Sequence, residues 1–193
     1  MIKTLFFIAG LFAFSFIGSG CSGMLPSIKQ TTKSPWQRFA DAKKSFDQII
    51  PNKTIRKDLK KLGFDPFSVP NVKLVTYLDL MKIFLPNQSI RMADIDPGVR
   101  SCLEARDACQ GYEVSPERLD SQRSGSVFLD LLNFRRTTIT TGWRFKALIV
   151  LKDDLVVHKI WGGQPKIDET EDKRNPLGPL QNIDNIMPDI KLF

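Results

Sequence analysis

The sequence predicts an α+β fold in which two N-terminal helices pack on one face of a three- to four-stranded antiparallel sheet. Three observations support this prediction. Residues 36–50 and a shorter segment from about Thr54 have apolar residues at helical spacing, and residues 127–161 contain three β-rich runs separated by short turns. One face of the middle run is entirely apolar. A single domain is therefore expected over residues 36–162, between a flexible N-terminal tether and a C-terminal tail.

The first twenty residues have the layout of a secretory signal peptide. Lys3 provides a positive charge, residues 5–17 are uncharged, and small residues follow at 18–20. As a helix, the apolar run would rise about 20 Å, which is less than the roughly 30 Å hydrocarbon core of a bilayer. We therefore predict that residues 1–20 are a signal peptide and not a permanent membrane span.

Cys21 directly follows these small residues, which resembles the lipobox of bacterial lipoproteins, where cleavage leaves a lipid-modified cysteine as the first mature residue. Gly18 departs from the aliphatic residue that the lipobox prefers, and ordinary cleavage after Gly20 also fits the pattern. The lipobox interpretation makes residues 21–35 a lipidated cysteine and tether. Ser22, rather than aspartate, at the second mature position then indicates the outer membrane, and we expect the chain on its periplasmic face, with the outer surface as the alternative.

The charge and the cysteines restrict the compartment and the partners. The chain has a formal net charge of +7. Outside the cytoplasm, such a balance serves solubility or favours acidic lipid headgroups and proteins over nucleic acid. If Cys21 carries lipid, Cys102 and Cys109 remain as a pair in an oxidising compartment, which predicts a disulfide.

The spacing of this cysteine pair imposes a condition on the local structure. On one continuous helix the Cα atoms of Cys102 and Cys109 would lie about 10 Å apart, beyond the roughly 7 Å that a disulfide spans. A helix that begins at the capping pair Asp96-Pro97 should therefore end or tighten before Cys109. Residues 87–125 are rich in charges and poor in large apolar groups, which predicts a surface insertion closed by this disulfide.

Two amphipathic helices are predicted at the start of the domain. The first spans residues 36–50, after the cap pair Ser34-Pro35 and before Pro51. The second begins near Thr54 and ends at Gly63, a C-cap glycine. Its opposite face is basic, which indicates a solvated surface or a contact with a membrane or partner. The residues of this basic face are Lys53, Arg56, Lys57, Lys60 and Lys61.

Strands are predicted at residues 72–77 and in the C-terminal part of the domain, whereas residues 78–86 are ambiguous between helix and strand. The apolar face of the middle C-terminal run should receive the two helices. Its residues are Trp143, Phe145, Ala147, Ile149 and Leu151. The three runs of the predicted meander are Val127–Thr138, Trp143–Leu151 and Leu155–Trp161. Residues 163–193 lack a period, contain four prolines and predict an extended or disordered tail.

No established catalytic or metal-binding motif occurs in the sequence. The single histidine, His158, has no second histidine with which to build a zinc site. Asp153 and Asp154 are adjacent carboxylates in a predicted tight turn, where aspartate favours local hydrogen bonds. Arg135 and Arg136 have the charge to clamp an anion, or are exposed charges at a strand end. We predict a non-catalytic protein without cofactor, metal or small-molecule substrate.

The order of these features resembles the SmpA/OmlA group of small outer-membrane lipoproteins. Residues 46–63, which close at Leu62-Gly63, and the hairpin at 143–161 carry the likeness. Two features depart from that group: residues 51–54 replace its usual glycine before threonine, and the cysteine-containing insertion is additional. The resemblance implies an accessory protein-binding role in outer-membrane integrity or outer-membrane protein assembly, with the barrel-assembly machinery as a candidate partner. The alternative is a periplasmic or secreted inhibitor or binding module that acts on another envelope protein.

Overall fold

The computed structural model describes residues 25–31 and 33–176. A six-stranded sheet has the order β1-β4-β5-β3-β2, and β6 also pairs with β5. The strands are β1 (Ser27–Thr31), β2 (Val72–Thr76), β3 (Cys109–Val114), β4 (Glu117–Ser124), β5 (Arg135–Lys152) and β6 (Leu155–Arg174). The α-helices of the described residues are α1 (Phe39–Asp47), α2 (Arg56–Lys61), α3 (Tyr77–Phe84), α4 (Pro97–Glu104) and α5 (Val127–Leu131).

The chain divides into two compact units, which we call the core unit and the hairpin unit. The core unit comprises Lys29–Asp120 and Thr141–Asp168. The described part of the hairpin unit consists of residues 25–28, 121–140 and 169–176, and it contains α5 between β4 and β5. Strands β1, β4, β5 and β6 contribute residues to both units.

The core unit is apolar on both faces of its sheet. On the first face, α1 and α2 pack on alternate residues of β5, including Phe145 and Ile149, which are fully buried. On the second face, α3 and α4 pack on Leu148 and Val150. Gly111 of β3 permits this close packing, because a Cβ atom there would lie 2.9 Å from a methyl group of Leu80 on α3. The second helical layer has no counterpart in the sequence-based prediction.

The predicted fold class is wrong. Of the described residues, 42% are in strands and 28% are in helices, and they form a six-stranded sheet instead of two helices on a three- to four-stranded sheet. The additional strands β3 and β4 come from residues 87–125, the predicted insertion. Strand β3 pairs antiparallel with both β2 and β5, and its register places Tyr112 opposite Leu74 and Ile149. Its short length and its Gly111 and Glu113 conceal a buried strand in the sequence pattern.

A second correction concerns residues 127–138, which were expected to form one strand. They begin with α5 instead, and β5 starts only at Arg135. The backbone N–H groups of Asn133 and Phe134 close the helix by donating to the carbonyls of Asp130 (3.0 Å) and Leu129 (2.9 Å). Asn133 adopts a φ of 56°, a left-handed conformation that asparagine tolerates well at a helix end.

One predicted helix end agrees with the structure and one helix start does not. Gly63 closes α2 as predicted, because its N–H donates to Lys60 O (3.2 Å) and that of Phe64 donates to Leu59 O (2.9 Å). Helix α1 begins at Phe39, later than expected. The hydroxyl of Ser34 accepts from the N–H of Trp36 (3.2 Å) in a turn before the helix.

The two segments predicted to flank the domain also contain regular structure. Residues 27–31 of the predicted tether form β1, and residues 163–174 of the predicted tail belong to β6. The predicted signal peptide, Cys21 and residues 177–193 lie outside the described residues.

Candidate interaction surfaces

The predicted disulfide between Cys102 and Cys109 is present, and its Cα atoms are 4.9 Å apart. The side chain of Asp96 caps α4 by accepting from the N–H groups of Gly98 and Val99. The helix ends at Glu104, so that Cys109 lies in β3, which meets the condition derived from the spacing. Both cysteines are buried in the apolar cluster on the second face of the sheet, which we call the second core. The disulfide therefore joins α4 to the sheet.

The polar residues singled out in the sequence do not converge on one site. The Nδ1 atom of His158 lies 3.3 Å from Oδ1 of Asp96, and its ring meets the ring of Phe84 edge-on. Asp153 and Asp154 form the β5–β6 turn, where Asp153 has a φ of 56°. These contacts assign local structural roles. Within residues 25–31 and 33–176, no three His, Cys, Asp or Glu side chains group as metal ligands.

The basic face of α2 is largely paired with carboxylates. Arg56 Nε lies 2.8 Å from Asp154, and Lys60 Nζ lies 3.4 Å from the buried Asp65. The Ser68 hydroxyl and the backbone N–H of Phe67 also donate to Asp65 and, with Lys60, hold the pKa of that carboxyl below its usual range. This pairing reduces the charge that the face offers to a membrane or an acidic partner.

An open apolar groove of about 320 Å³ lies on the second face of the core unit. Ile83 at the end of α3 and Ile160 of β6 line it with half of their side-chain surface exposed (50% and 53%). Leu148 of β5 is buried beneath them, and Glu113 and Lys146 add polar groups to the lining. The alternation of β5 places Lys146 and Leu148 on this face, but no sequence signal joins Ile83 to Ile160.

A second exposed apolar surface belongs to the hairpin unit. Phe128 and Leu131 of α5 are 67% and 79% exposed, and Leu129 and Phe134 are also exposed. We call these four residues the hydrophobic tip. Such large apolar side chains together on a short connection mark an interaction surface more often than isolated exposed residues do.

The hydrophobic tip is supported by ion pairs. The buried carboxylate of Asp130 accepts from Arg136 Nε (3.0 Å) and Arg123 Nη1 (3.3 Å). Arg135 makes two hydrogen bonds with Asp172 (3.0 and 2.9 Å), which hold the pKa of that carboxyl below its usual range. Arg135 and Arg136 are thus paired within the unit, and the sequence did not indicate either partner.

Comparisons with known proteins do not assign the chain to a family. No family model, curated protein or solved structure matches it. Among the described residues, no helix has the length and apolar character needed to cross a membrane.

Proposed function

We propose that the chain is a non-catalytic lipoprotein of the bacterial cell envelope that binds a protein partner through the apolar groove of its core unit. The observation that carries the proposal is the exposure of Ile83 and Ile160 across one groove. The envelope address comes from the signal-peptide pattern of residues 1–20 and from Cys21.

The composition of the groove suits a protein surface. Protein interfaces combine an apolar centre with a polar rim, and a few central residues contribute most of the affinity. Here Ile83, Ile160 and Leu148 form the apolar part, while Lys146 and Glu113 offer one charge of each sign. A partner segment with an apolar side chain between polar groups fits this arrangement.

The rigidity of the groove also favours binding. Leu148 belongs to the second core, where Cys102 and Cys109 link α4 to the sheet. Ile83 lies on α3, whose first turn is capped by the Thr76 hydroxyl and the Asp79 carboxylate. A surface that is already ordered loses little conformational entropy on binding. The resemblance to SmpA/OmlA lipoproteins supports an envelope partner, with components of the barrel-assembly machinery as the first candidates.

The test is affinity purification of the mature protein from mildly solubilised membranes, followed by mass spectrometry of the bait and its companions. The groove variant is Ile83→Asp/Ile160→Asp. The matched control is Ile50→Asp, an isoleucine of the core unit that is equally exposed (52%) but does not line the groove. We expect an acylated Cys21 and envelope proteins that co-purify with the wild type and the control, and about a tenfold or greater loss with the groove variant.

Other outcomes would contradict the proposal. If the same proteins co-purified with the wild type and the groove variant, the groove would not be the binding site. A bait without companions, together with unchanged detergent sensitivity of a deletion strain, would discard the accessory role. Recovery of a secreted hydrolase would replace that role by inhibition.

A further inference from the structure

The N-terminal chain enters the hairpin unit beside the hydrophobic tip. The backbone N–H of Arg123 donates to the carbonyl of Pro26 (3.4 Å), directly before β1 begins at Ser27. Arg123 is the penultimate residue of β4, and the connection that carries the tip follows it. The entry point of the chain and the tip therefore lie at the same end of this unit.

The position of Cys21 follows from chain length. Five residue steps separate Cys21 from Pro26, and they span at most about 18 Å when fully extended. A lipid on Cys21 would therefore keep this end of the hairpin unit close to the membrane surface. A short link of this kind makes the second contact effectively intramolecular, which raises the local concentration of lipid at the tip.

The described part of the hairpin unit does not fully bury any large apolar residue. Among its described residues, only Asp130 and Asn175 are buried. Phe128 and Leu131 instead project from α5 with most of their surface exposed. An aromatic and an aliphatic side chain on a short helix are the residues that enter the boundary between headgroups and acyl chains.

We propose that the hydrophobic tip inserts into the surface of the bilayer to which Cys21 anchors the chain. The inference rests on the proposed function for the anchor. The two contacts together would fix the orientation of the hairpin unit on the membrane, which a single point of attachment at Cys21 does not do alone. Phe128 and Leu131 are 67% and 79% exposed, so we expect apolar burial to drive the insertion. Arg123 and Arg136 share the one carboxylate of Asp130, which leaves a net charge of +1 as a smaller, salt-sensitive contribution.

The test uses the full mature chain with Cys21→Ser, which removes the acylation site and separates tip binding from the lipid anchor. This protein is floated with vesicles of phosphatidylethanolamine and phosphatidylglycerol. The tip variant is Phe128→Ser/Leu131→Ser, and the matched control is Phe67→Ser/Leu78→Ser, the same changes at exposed residues of the core unit. We expect about a tenfold lower vesicle affinity for the tip variant than for the control, and binding that persists at high salt.

A second measurement keeps the test decisive when flotation is weak. In the acylated protein, Phe128→Trp should add fluorescence that lipids brominated on their acyl chains quench, beyond the quenching of the wild type. Equal flotation of the tip variant and the control, or no added quenching, would overturn the inference. If the tip variant lost a co-purifying protein but bound vesicles as well as the control, the tip would be a binding site for a protein partner instead. If Cys21 were unacylated but the tip still bound lipid, the lipid anchor would be contradicted and the insertion of the tip would stand.

Discussion

The core unit and the hairpin unit are stabilised by different interactions. In the core unit, apolar side chains are buried on both faces of the sheet, in two clusters that include Phe145 and Val150. In the described part of the hairpin unit, the buried residues are Asp130 and Asn175, and the large apolar residues are exposed or only half-buried. One unit thus buries its apolar surface internally, whereas the other leaves that surface for a second contact.

This contrast separates stability from function. Buried apolar area is the main source of folding free energy, so the core unit should hold most of the stability of the chain. The hairpin unit depends on strand pairing and on carboxylate–arginine contacts, which specify geometry but contribute less. A surface that remains apolar there is free to be used in binding.

The largest expected effect is the removal of a core aromatic ring. Phe145→Ala should lower the free energy of unfolding by about 3–5 kcal/mol, because Phe145 is fully buried and contacts Phe39, Phe46 and Trp161. The same change at the exposed Phe128 should remain within about 0.5 kcal/mol. Urea unfolding followed by circular dichroism measures both values. Equal losses would mean that the tip is buried in solution.

The disulfide should have the next largest effect. Replacing both cysteines by alanine should cost about 2–3 kcal/mol, because the closed loop no longer restricts the unfolded chain. The loss should appear as a lower melting temperature in calorimetry. Amide exchange in the hairpin unit should stay unchanged, because Cys102 and Cys109 belong to the core unit. Faster exchange in both units would contradict their separate stabilisation.

A smaller, local effect is expected at Asp130. Asp130→Asn removes the charge that Arg123 and Arg136 share, and a buried charged hydrogen bond contributes about 1.5–3 kcal/mol. Hydrogen exchange followed by mass spectrometry should be faster over residues 126–134 and unchanged in the core unit. Glu169→Gln, at an exposed carboxylate of the same unit, is the control. Exchange that is equal in the two variants would exclude Asp130 as the support of α5.

The smallest effect is the pH response of the Arg135–Asp172 pair. Hydrogen bonds from Arg135 lower the pKa of Asp172 in the folded state, so this contribution to stability is present above the unfolded pKa. It is lost as the pH falls through the folded pKa. Carboxyl ¹³C titration by NMR should give a higher midpoint for Asp172 in Arg135→Gln. In the control Arg38→Gln, the titration midpoint of Asp41 should rise, because Arg38 lowers the pKa of that carboxyl, and the midpoint of Asp172 should stay unchanged.

Several elements were predictable because their signals are local. Gly63 at the end of α2, Asp96 at the start of α4 and the alternation of β5 all depend on residues a few positions apart. Helix α5 also had such a signal in Ser126 and Asn133, but the β-branched and aromatic residues around it favoured a strand. Strand β3 had none, because its neighbours in the sheet come from distant parts of the chain.

The sequence by itself determined the signal-peptide pattern, the cysteine pair and its geometric condition, and the apolar face of β5. Each of these depends on covalent spacing or on interactions within one element. Only the tertiary structure decided that α3 and α4 cover the second face and that Ile83 and Ile160 share a groove. These features require strands and helices from separate regions to pack together, and packing depends on three-dimensional neighbours that residue spacing along the chain does not specify.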